Sequence, residues 1–211
     1  MAVIYWVANG ATANANDAAS WNTAADGSGS SGKPAGNDTA VFGDATTIAN
    51  NKGFAPCNWN YATLGGLPQI DEVFVNDAYG DSVSVTTNTV TISASAKTIE
   101  LENGITWLEN GFYVGMSIVI SGSKSNDGTY EITAIGTGST AKKATFSAAS
   151  FTDEAIVAAT GTTITIASIE RKITLAENMY VQALRLGCKL DAASAKSVVF
   201  SGAIISSSAY N

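Results

Sequence analysis

Residues capable of acid–base or nucleophilic chemistry are few in this chain, because its 211 residues include no histidine. That absence excludes Ser-His-Asp and Cys-His nucleophilic systems and removes the commonest general base. Paired carboxylates, as in glycoside hydrolysis, remain the one catalytic option, and acids cluster at Asp71, Glu72, Asp77 and Asp81. Because acids without a cleft are typical of solvated loops, we expect no catalytic residues and no enzyme activity.

Ligands for a metal or a cofactor are equally sparse. Asp77 and Asp81 share a polar loop with Asn76 and could bind calcium through oxygen atoms, but their spacing matches no calcium-binding loop. The glycine-rich run Gly27–Gly32 lacks the strand and helix that frame a phosphate-binding loop. We therefore expect no metal site and no cofactor.

Two cysteines and four tryptophans complete the set of residues with special chemistry. Cys57 and Cys188 have neither metal-clip nor redox-motif spacing. We expect two buried thiols, although a disulfide between them would tie the first segment to the last. The tryptophans could form a sugar-binding platform, but such residues more often anchor a core or an interface, which is our expectation for them. They are Trp6, Trp21, Trp59 and Trp107.

Charge excludes one large class of partner. The net charge is −7, and only 14% of residues are charged, against about 25% in average globular proteins. Nucleic-acid binding depends on Lys and Arg that neutralise phosphates, and the chain has only Arg171 and Arg185 besides its lysines. We expect no nucleic-acid partner.

No apolar run reaches the length of a membrane span, and the N-terminus has no signal-peptide pattern. We therefore expect that the protein is made in a cytoplasm and that it does not contact a membrane.

The elements that would position these residues are short strands. Met116, Ile118 and Ile120 alternate with polar or outward residues, and a similar alternation follows from Tyr130 to Ile135. Asn126-Asp127-Gly128 between them predicts a tight hairpin turn with positive φ angles. Two further strands are expected at Lys143–Ser147 and Thr162–Ala167. The pattern predicts a small antiparallel β module over residues 98–167.

The flanking segments, 1–97 and 168–211, share Thr, Ser, Val and Ile strands broken by Asn, Asp and Gly. We predict an all-β fold: an antiparallel β framework, sandwich-like, jelly-roll-like or a short solenoid, with a small β-barrel-like module in its middle. Three consecutive β units without insertion are the alternative. The apolar segment Val198–Ile205 is expected to pair within the fold or across a subunit interface.

Two stretches resemble proteins of tailed bacteriophages. The pattern Tyr5-Trp6-Val7, Trp21, a Gly/Ser loop, Pro34 and Asp38-Thr39-Ala40-Val41-Phe42 resembles the N-terminal segment of many virion proteins. The run from Phe112 to Ser123, followed by Asn126 to Ile132, resembles a β module that recurs in phage structural proteins. Phe151-Thr152-Asp153-Glu154 stands where that module often has an acidic pair before its last strand.

The resemblance implies a structural virion component, and size and composition favour a capsid decoration (cement) protein. Such a protein would bind the major capsid protein on the outer surface of the shell, stabilise the capsid and associate with itself as a homotrimer. The candidate contact segments are Val3–Val7, Gly27–Gly36 and Val198–Ile205. The alternative is a tail or fibre adaptor, or a receptor-binding protein that recognises host surface glycans through its tryptophans. A carboxylate-dependent depolymerase fragment is a third interpretation.

Overall fold

The chain is all-β, as expected, and it divides into two compact units. The computed structural model describes residues 2–61, 70–80, 82–102, 104–147, 150–186, 188, 190–192 and 198–200. Unit 1 comprises residues 1–81 and 170–211, and unit 2 comprises residues 82–169. Along the chain, unit 2 therefore lies between the two segments of unit 1.

Unit 1 contains two sheets made largely of parallel strands. In chain order its strands are β1 (Val3–Trp6), β2 (Ala13–Asn14), β3 (Trp21–Asn22), β4 (Thr39–Phe42), β5 (Cys57–Trp59), β6 (Ile70–Val75), β15 (Ile173–Leu175), β16 (Met179–Arg185), β17 (Leu190–Ala192) and β18 (Val198–Phe200). Sheet A has the order β18-β16-β6-β4-β1-β3 and sheet B the order β17-β15-β5-β2. Among the described residues, every pairing between strands of these sheets is parallel except that of β3 with β1.

This connectivity is that of a short solenoid. Along the chain, β1, β4, β6, β16 and β18 enter sheet A, and β2, β5, β15 and β17 alternate with them in sheet B. Each turn thus adds one strand to each sheet, as in repeat proteins that stack neighbouring turns on a shared core. We expected antiparallel pairing within the framework, but among its described strands β1 and β3 alone pair in that way. Alternation along a strand defines the two faces of the strand but not the direction of its partner.

The core of unit 1 lies between the two sheets. One inward row of sheet A runs across four strands through Ile4, Ala40, Val73 and Leu184, all of them buried. Rows of this kind form because parallel strands in register place equivalent side chains side by side. The first solenoid turn is closed by the antiparallel β3, which follows a 3-10 turn at Ala18–Ser20 that is capped by the Asp17 carboxylate.

One short helix interrupts the strands of unit 1. It is α1 (Ala45–Ala49), and the Asp44 carboxylate caps it by accepting hydrogen bonds from the N–H groups of Thr46 and Thr47. Gly53 follows with a φ of 79°, and a Cβ there would lie 2.8 Å from the carbonyl oxygen of Trp6. The segment after the helix therefore depends on glycine to approach β1 closely.

Unit 2 is one curved antiparallel sheet, sheet C. Its strands are β7 (Ser84–Thr87), β8 (Val90–Ser93), β9 (Thr98–Leu101), β10 (Ser117–Ser121), β11 (Gly128–Ile135), β12 (Lys143–Phe146), β13 (Glu154–Ile156) and β14 (Ile164–Ser168). They have the order β13-β8-β9-β12-β11-β10-β14-β7. Only a two-residue connection joins β7, at one edge, to β8, which is next to the opposite edge. The sheet must therefore curl, in keeping with the barrel-like module expected here.

The boundaries of the module differ from the expected 98–167. Strands β7 and β8 were assigned to the framework, but they pair with β14, β9 and β13 inside unit 2. The module therefore begins at residue 82 and ends at residue 169. The local sequence could not show this, because the alternation within β7 and β8 does not determine which distant strands they pair with.

The predicted hairpin is confirmed, with β10 antiparallel to β11, but its turn is longer. Residues 122–127 form the connection, and neither Asn126 nor Asp127 has a positive φ. The Asp127 carboxylate instead accepts hydrogen bonds from the N–H groups of Gly122 and Ser123. The alternation of β11 also breaks at a register shift between Ile132 and Ala134, so that Ala134 is exposed.

Candidate functional surface

Of the four clustered carboxylates, the structure describes the side chains of Asp71 and Glu72. Glu72 lies on β6 and forms an ion pair with Arg185 of β16, with 2.8 Å between Oε1 and Nε. Asp71 is half-buried next to it on β6. Asp77 begins the 3-10 turn Asp77–Tyr79, and Asp81 lies outside the described residues. Across the part of the chain that is described, no three or more acidic, cysteine or histidine side chains are arranged to hold a metal ion.

The two cysteines carry thiols and no disulfide joins them, as predicted. Cys57 is buried, but Cys188 is only half-buried. Ile173 of β15 pairs with Cys57 on one side and with Leu190 of β17 on the other, and Cys188 lies two residues before Leu190 in the chain.

Burial also makes both thiols poor nucleophiles. It raises the pKa of Cys57 well above its ordinary value and the pKa of Cys188 to about 11. Thiols with such pKa values are protonated at neutral pH, and the thiolate is the form that attacks electrophiles or binds metals. The thiols therefore have a packing role.

The tryptophans are core residues, and the interpretation of them as a glycan-binding platform is wrong. All four side chains are 0% exposed. Three indole N–H groups donate to backbone carbonyls: Trp6 to Ala55 at 3.0 Å, Trp21 to Ala15 at 2.8 Å and Trp107 to Lys142 at 2.8 Å. In the described structure the indole nitrogen of Trp59 has no hydrogen-bond partner.

Two of the three expected contact segments contribute strands to sheet A, and the third is a loop. Val3–Trp6 is β1, an internal strand of sheet A, and Val198–Phe200 is β18, which pairs with β16. Residues 201–205 of the expected strand lie outside the described residues. Most residues of the Gly27–Gly36 loop are exposed, although the Asn22 amide donates hydrogen bonds to the carbonyls of Gly27 and Gly29.

A surface that sequence reasoning missed is the outer face of sheet A, which we name the neutral face. Two register rows cross β1, β4, β6 and β16 on this face. The rows are Val3, Thr39, Glu72 and Ala183, and beside them Tyr5, Val41, Phe74 and Arg185.

The neutral face is apolar although it points away from the main core. Val3 is 43% exposed, whereas Val41 is 6% exposed without belonging to the core cluster. In the register, Val41 is flanked by Tyr5 and Phe74. The Arg185 guanidinium lies 5.6 Å from the centre of the Phe74 ring, a cation–π arrangement that holds it against the face. The two rows therefore combine apolar side chains with one acid and one base, and the half-buried Asp71 adjoins them on β6.

Sheet B has a different outer face. Asn14, Asn58, Thr174 and Asp191 occupy one row, in which the Asn58 amide donates to Asn14 at 2.9 Å. Such a polar row is suited to solvent.

A signal for the neutral face was present in the sequence, since β1, β4 and β6 carry apolar residues at consecutive positions. Strands with two apolar faces have to be covered on both sides or to remain partly exposed.

In unit 2 the acidic pair binds two connections between strands: Asp153 the β8–β9 turn and Glu154 the β10–β11 loop. The Asp153 carboxylate accepts from the N–H of Ala94, and Glu154 accepts from the N–H of Lys124 and from the Asn126 amide. A shallow groove of about 330 Å³ runs along β8 and β13 beside these carboxylates. Their hydrogen bonds within the fold give them a structural role.

Comparison with protein-family models, with curated proteins and with solved structures finds no match. Within the described residues, none of the helices has the length and apolar character needed to cross a membrane.

Proposed function

We propose that this chain is a structural virion protein, a capsid decoration (cement) protein that binds the assembled shell from outside and stabilises it. One observation carries the proposal: the residues that resemble phage virion proteins coincide with a structural element. Trp6, Trp21 and Phe42 of that pattern form one aromatic cluster, with ring centroids 5.0 to 5.3 Å apart. The resemblance thus concerns the residues that build and close the first solenoid turn.

The physical properties of the surface support the same proposal. Two protonated thiols and engaged carboxylates favour a binding or scaffolding role over chemistry. In a chain of net charge −7, a shell contact is easiest through a surface that does not add repulsion, and the neutral face supplies one. The proposed partners are the major capsid protein and further copies of the chain as a homotrimer, and the proposed location is the outer surface of the virion.

The experiment is a copy-number measurement. Purified particles of the phage that encodes the chain are analysed by quantitative mass spectrometry against the major capsid protein. A ratio near that of the shell protein supports decoration, because a shell offers hundreds of equivalent sites. A handful of copies per particle would instead indicate a tail protein and favour the adaptor alternative. Absence from particles would refute a virion role.

A further inference from the structure

We draw no further inference here: the strongest candidate, the loop of unit 2 between β9 and β10 on which Ile105 and Leu108 are exposed next to the buried Trp107, carries nothing because nothing in the described structure shows what partner covers these two apolar side chains.

Discussion

Replacing Asn126 by alanine should destabilise unit 2 more than its loop position suggests. Asn126 is 1% exposed, and its side-chain amide both donates and accepts hydrogen bonds, as a backbone peptide group does. Its oxygen accepts from the N–H of Thr152 at 2.8 Å, and its nitrogen donates to the carbonyl of Thr152 at 3.1 Å and to Glu154 at 2.7 Å. The loop after β10 is thereby fastened to the segment that leads into β13.

The expected cost follows from these three bonds. A net hydrogen bond contributes about 1 kcal/mol, and an unsatisfied buried group costs about 1–3 kcal/mol. Thr152 itself is exposed, so water can replace part of what its backbone loses, and we expect N126A to cost about 2–3 kcal/mol. For a domain of this size that corresponds to a decrease of about 10–15 °C in Tm.

The assay is thermal and urea unfolding followed by circular dichroism, with N110A as the matched control. Asn110 is a half-buried loop asparagine whose amide donates one hydrogen bond, to the carbonyl of Thr106 at 2.8 Å, so N110A should cost about 1 kcal/mol. If N126A costs no more than N110A, the reasoning that this side chain fastens the loop is wrong.

N126D supplies a second readout. The aspartate keeps the acceptor for the N–H of Thr152 but loses both donors, and it places a carboxylate beside Glu154. Like charges at close range raise a carboxyl pKa, so the folded variant binds protons more readily than the unfolded one. Its deficit in stability relative to the original chain should therefore shrink as the pH falls below about 5, and a deficit independent of pH would contradict this.

Three further predictions concern other parts of the fold. In urea unfolding, W21F should lower the free energy of unfolding by about 2 kcal/mol more than W59F does. In the described structure the Trp21 indole donates a hydrogen bond and the Trp59 indole does not, so that W21F leaves a carbonyl unsatisfied. Equal costs would contradict this. Replacing residues 82–169 by a short Gly/Ser linker should leave unit 1 folded by circular dichroism, since the ends of unit 2 are joined by a hydrogen bond of 2.8 Å between Ser168 and Val83; loss of its strand signal would count against independent folding. The pKa of Cys188 is raised from 9.0 to about 11, so the unfolded thiol ionises first as the pH rises, and its contribution to stability should be complete below about pH 9 and decrease between about pH 9 and 11. C188S should therefore lose less stability over this range than the original chain does, and the part that remains should come from Cys57, whose pKa is also raised; equal losses would contradict this.

Some features of this fold could be read from neighbouring residues. The β10–β11 hairpin was predictable because alternation and a polar connection are local properties of about twenty residues. The burial of Trp6, Trp21, Trp59 and Trp107 followed from residue type, and so did the unbridged thiols. The exclusion of histidine-dependent chemistry required composition only.

The candidate surface was less accessible to such reasoning. Val41 lies 36 positions after Tyr5, and Phe74 lies 33 positions after Val41. Arg185, which pairs with Phe74 in the register, lies a further 111 positions along the chain. Their adjacency depends on parallel pairing between distant strands, and no local pattern encodes a partner or its direction.

The sequence by itself determined the all-β class, the strand periodicity and the chemistry that the chain lacks, because these depend on residue types and on contacts between near neighbours. Only the tertiary structure decided that the framework is a parallel solenoid, that β7 and β8 belong to the inserted unit, and that an acid, a base and aromatic residues share one outer face. Those outcomes depend on which distant strands pair, a choice made by the packing of the whole core between two sheets.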